Sequence, residues 1–208
     1  MFVHDIEWGY RNGISLLNLC VIALLLSVYT GRFIYPLLSL EGRKFWILGL
    51  LPIRREQLLW GKFVFSTLGG LLLSSSLMLL NDIMLEMPVG IILLHQLTVV
   101  VLAAGLSGLA VGLGACMPNF RETDPSKIAA GFGGTLNLVL GLGFLMGTIG
   151  MMGMPWHGFM LGRSPGDPVS LLMAGAVLVG TVLGLVGGFA AVFFPLRAGI
   201  RALNRMEF

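Results

Sequence analysis

The chain has 208 residues, of which 56% are hydrophobic and 11% charged, with a formal net charge of +3. At a mean hydropathy of +0.92 a water-soluble globule is excluded, since too much apolar surface would face solvent. The excess positive charge lies beside the apolar runs, which argues for topology determinants and against a nucleic-acid footprint.

The two cysteines, Cys20 and Cys116, each sit inside an apolar run, so neither a disulfide framework nor a metal site is indicated. Before the first run stand Asp5, Glu7 and Arg11, the reverse of the basic leader of a cleaved signal peptide.

Five uncharged stretches are long enough to cross a hydrocarbon core, which takes about 20 helical residues. They predict spans near 13–33, 63–81, 96–117, 128–154 and 169–194. Continuous apolar runs favour helices over the alternating segments of a barrel. The fold class expected is all-α: a polytopic membrane helix bundle of five transmembrane helices with one amphipathic interfacial helix, a single transmembrane domain over 1–208.

In chain order, the first span is followed by EGRKFWILGLLPIRREQLLWGK from Glu41 to Lys62. Phe45, Trp46, Leu48, Leu50 and Leu51 give this segment an apolar side, and Arg43, Lys44, Arg54 and Arg55 give it charge. That pattern suits a helix lying flat at the headgroups. The Leu51-Pro52 break predicts a second short helix over 53–61. A loop that merely sets topology and a docking element for a cytoplasmic protein both fit the pattern.

Gly105, Gly108 and Gly112 mark one face of span three, Gly143, Gly147 and Gly150 one of span four, and Gly180, Gly184 and Gly188 one of span five. Such stripes let another backbone approach closely. Close packing explains them without any transport role. Asp124-Pro125 and Asp167-Pro168 each offer an N-cap carboxylate before a proline at the first helical position, while Pro118 and Pro155 fall where spans three and four should stop. Pro195 should bend or end span five. The segment 155–168 is expected outside.

Few polar residues lie within spans. Asn137 should face protein or a cavity, and interhelical hydrogen bonding explains it best. His95 near the outer end of span three reads as a lone, water-accessible histidine, with no acid and no second histidine to build a metal site, an acid–base pair or a proton relay. No G-x-x-x-x-G-K-[ST] phosphate loop occurs, Gly61-Lys62 being followed by Phe63. The expectation is therefore no enzyme, no catalytic, cofactor-binding or metal residues, and no ATP binding in this chain.

With the N-terminus outside, the inner segments 32–62, 118–127 and 196–208 carry six, two and three Lys/Arg, against only Arg11 and Arg163 outside. This positive-inside bias predicts an integral membrane protein with its N-terminus outside and its C-terminus in the cytoplasm.

Glu41-Gly42-Arg43-Lys44-Phe45-Trp46, Leu51-Pro52-Ile53 and Gln57 to Lys62 resemble the first intracellular loop of type-2 ATP-binding-cassette exporter permeases. Pro118 to Lys127 and Gly131 to Asn137 are similar to a bacterial branch of that family, which implies a bacterial cytoplasmic membrane. The resemblance implies a permease component of an ATP-driven exporter, coupled through Arg43, Lys44, Phe45 and Trp46 to a cytoplasmic ATPase subunit. It also implies a second transmembrane domain as partner, in a homo- or heterodimer. The family's usual domain has six spans, so one upstream span is expected to be missing. A non-transporting membrane scaffold or permease remnant is the other reading.

Overall fold

The structure is a computed structural model that describes residues 2–44, 55–160 and 170–205; the side chains of 2–7, 42–44 and 55 are outside the description. Among the described residues all regular structure is helical. Helix α1 runs Phe2–Tyr29, α2 Arg55–Met84, α3 Val89–Cys116, α4 Pro125–Ala130, α5 Phe132–Thr148, α6 Met154–Phe159 and α7 Leu171–Arg205. Five stretches are long and apolar enough to cross a membrane: Trp8–Glu41, Glu56–Met84, Val89–Cys116, Phe132–Phe159 and Leu171–Arg205.

Two of these stretches are not uniform helices. The first passes from α1 through a π-helical turn, Thr30–Ile34, into short 3-10 segments. The fourth joins α5 to α6 through a π-helical turn at Ile149–Gly153. Pro155, expected as a stop, instead occupies the first turn of α6, where a missing N–H costs least. Pro195 likewise lies inside α7, which continues to Arg205. At Asp124 the side chain accepts a hydrogen bond from the Ser126 amide at 2.9 Å, with Pro125 behind it. Asp167 and Pro168 lie outside the described residues.

The central helix is α3. In its most apolar window 56% of residues are buried, against 17% for α7 and 22% for α2. It packs most extensively on α7, then on α2, α5 and α1. Its neutral, nearly featureless sequence suits that place, because in a bilayer association rests on close packing rather than on expelling water. A Cβ added at Gly108 would come within 2.8 Å of Val192 Cα and 2.9 Å of Ala191 O on α7. Gly105 lies against Phe144, Gly112 against Pro195, Gly180 against the Met151 carbonyl, Gly184 against Met152 and Gly188 against Val101. Among the described residues a Cβ added at Gly143, Gly147 or Gly150 would meet nothing within 4 Å.

The four residues between α2 and α3, 85–88, make a tight turn. Glu86 sits in the left-handed region at φ 53°, and Met87 N–H closes back onto the Asp82 carbonyl at 3.0 Å. The chain therefore reverses at once, and the last turn of α2 faces the first turns of α3.

Candidate functional site

That reversal creates a buried polar centre. Asp82 lies in the last turn of α2 and His95 two turns into α3, and both are fully buried at 0% exposure. His95 Nδ1 stands 2.9 Å from Asp82 Oδ1 and 3.0 Å from Oδ2. On the other side of the ring, His95 Nε2 is 3.1 Å from His157 Nε2. The two imidazoles are nearly coplanar, 8° apart with centroids at 5.3 Å, so they meet nitrogen to nitrogen.

Helix α1 closes both ends. Ser15 Oγ donates to Asp82 Oδ1 at 3.3 Å. Asn12 Oδ1 is 2.7 Å from His157 Nδ1, and Asn12 Nδ2 donates to the His157 carbonyl at 3.1 Å. The carbonyl only accepts, which fixes the amide: its NH₂ must face His157 O and its oxygen must face the ring. The result is one continuous chain, Ser15–Asp82–His95–His157–Asn12, drawn from α1, α2, α3 and α6.

Each residue reaches the centre for a local reason. The short turn brings Asp82 and His95 together. The π-helical turn at 149–153 places one extra residue before α6, which sets the direction in which His157 points. Trp8, Met87 and Ile91, with Trp156 against them, form an apolar cap at this end of the bundle. Arg11 and Glu86 pair at 2.7 Å on the exposed rim nearby.

These observations correct the view of His95 as lone and water-accessible. An acid and a second histidine do accompany it, and a span does carry a buried acid. Among the described residues no group of His, Cys, Asp or Glu is arranged to hold a metal ion; the 3.1 Å approach of two ring nitrogens is a hydrogen bond.

At the opposite end, Glu41 and Lys62 form an ion pair at 2.6 Å that draws together the two ends of segment 41–62. Arg43 and Lys44 belong to the 3-10 segment Ser39–Lys44, their side chains outside the description, and Phe45 and Trp46 lie outside the described residues. Residues 55–61 begin α2 rather than forming a separate helix. Asn137 is buried and lies near Gly31 of the first stretch, its Nδ2 3.8 Å from where a Cβ would stand.

A membrane-embedded helical bundle with a buried Asp–His–His chain is thus the class of protein that fold and site define. The particular family follows from comparison with known sequences: the chain belongs to a family described as a putative ATP-binding cassette, whose model matches residues 4–208. No curated protein and no solved structure matches it.

The family assignment overturns three expectations. The family is described by an ATP-binding cassette and not by a type-2 exporter permease, so the resemblance drawn from 41–62 and 118–137 does not identify the chain. With it falls the reading as the permease component of an exporter, and the reading as a scaffold or remnant gains no support. The step from a missing phosphate loop to a chain without ATP binding also fails. Gly61-Lys62-Phe63 still lacks the Walker pattern, so any role in nucleotide binding must rest on other residues.

Proposed function

We propose that the chain is a membrane-embedded member of an ATP-binding cassette system whose working centre is the Asp82–His95–His157 unit. The supporting observation is the wholly buried carboxylate joined to two imidazoles across three helices and anchored by a fourth. Ionisable groups inside a membrane bundle are costly and by default mark function. Here they hold the outer ends of α1, α2, α3 and α6 in one arrangement, an arrangement that an ATP-linked step would change.

The same reading places the protein in a bacterial cytoplasmic membrane with its N-terminus outside and its C-terminus inside, because the basic residues favour one face. Its partners are other units of the cassette assembly, among them a second membrane-embedded unit covering the sparsely buried face of α7. The supporting test is equilibrium binding of radiolabelled ATP to the purified chain in nanodiscs. Saturable binding, retained by His95→Gln, is expected. Absence of binding would remove ATP from the account.

A further inference from the structure

The hydrogen-bond chain has a definite proton count. Three of its contacts join ring nitrogens to groups that either accept or carry a lone pair: Asp82 to His95 Nδ1, His95 Nε2 to His157 Nε2, and His157 Nδ1 to Asn12 Oδ1. Each contact needs one hydrogen to be a bond rather than a clash of lone pairs. Asn12 Oδ1 has none to give, so His157 Nδ1 must carry its own. His157 Nε2 and His95 Nε2 must share one, and His95 Nδ1 and Asp82 another.

Three contacts require three protons, whereas two neutral imidazoles beside an ionised carboxylate carry only two. We infer that Asp82, His95 and His157 form a binding site for one additional proton, shared along the chain and leaving the unit with no net charge. The proton occupies the carboxyl, the His95 ring or the His157 ring without altering the donor–acceptor pattern elsewhere, so it belongs to the unit rather than to one residue. Burial supports the same count. At 0–2% exposure a net charge would be desolvated without repayment, while a neutral unit is not.

Among the described residues nothing else nearby supplies the missing charge; Arg163 and Asp167 lie outside them. Asn12 and Ser15 of α1 are neutral, and Arg11 is paired with Glu86. Helix α5 and the length of α7 before Arg197 contain no ionisable side chain. His4, Asp5 and Glu7 stand on the first turns of α1, their side chains outside the description. Loss of the proton leaves one contact without a hydrogen, and therefore removes either the α3–α6 or the α2–α3 hydrogen bond of the chain.

The inference goes beyond the proposed function and needs no nucleotide for its test. The chain has three histidines, so His4→Gln leaves only the two of the centre. Nitrogen-15 NMR of that protein in lipid, with infrared detection of a protonated carboxyl, counts the protons. Three, summed over both rings and the Asp82 carboxyl, are expected at neutral pH. Two neutral rings beside an ionised Asp82, or two cationic rings, would overturn the inference. Asp82→Asn gives a second, independent arm, because an amide NH₂ donates to His95 Nδ1 just as the protonated acid does. This variant should fold with an unchanged thermal midpoint and hold both rings neutral at neutral pH, His95 protonated on Nε2 and His157 on Nδ1. A cationic ring in it, or failure to fold, would count against the extra proton. Failure of either arm leaves the ATP-binding result untouched.

Discussion

At the residue scale, two kinds of position carry the account: polar groups that must be satisfied and glycines that must stay small. Gly108 faces the α7 backbone at 2.8–2.9 Å from a would-be Cβ, and backbone cannot move aside as a flexible side chain can. Gly108→Ala should therefore cost about 1–3 kcal/mol, the usual penalty for overpacking, read as a lowered denaturation midpoint in detergent. Gly143→Ala, which meets nothing within 4 Å, should leave that midpoint unchanged within about 0.5 kcal/mol. The sequence displayed both glycines in the same kind of stripe. Spacing along one helix says which face a glycine occupies, but whether another helix lies against that face depends on partners the helix itself does not encode.

At the scale of elements, apolar run length made the five membrane-crossing helices legible, because about 20 residues without charge can do little else. The centre was hidden by the same logic. Asp82 looks like the charge that ends a span, and His157 stands two residues past a proline that looks like a stop. In the structure α2 continues to Met84, and the fourth membrane-crossing stretch passes through its proline as far as Phe159. One signal was available. Under the positive-inside arrangement Asp82, His95 and His157 all belong to the same membrane face, and grouping them there would have shown an acid and two bases within reach of one another. The π-helical turn at Ile149–Gly153 is the element on which their meeting depends. Deleting Gly150, whose absent side chain touches nothing, should return this turn to α geometry and rotate α6 by about 100° relative to α5. His157 then leaves His95. The expected outcome is a folded protein in which the nitrogen-15 signature of the shared proton is lost.

At the scale of the whole molecule, the polar centre and the Glu41–Lys62 pair occupy opposite ends of the bundle, with the neutral α3 running between them. Orientation in the membrane decides which end meets the cytoplasm. Single cysteines at the exposed Gly158 and Asn204, in a background lacking Cys20 and Cys116, should react with an impermeant thiol reagent from outside and inside respectively. The reverse pattern would invert the bundle and put the centre on the cytoplasmic face. The proposed function links that centre to ATP. Its most direct test is amide hydrogen exchange on the wild-type chain in nanodiscs, with and without saturating ATP. Faster exchange is expected with ATP in Met154–Phe159 and the first turns of α3, where the buried contacts are released. Unchanged protection in both segments, at a concentration where ATP is shown to be bound, would contradict it.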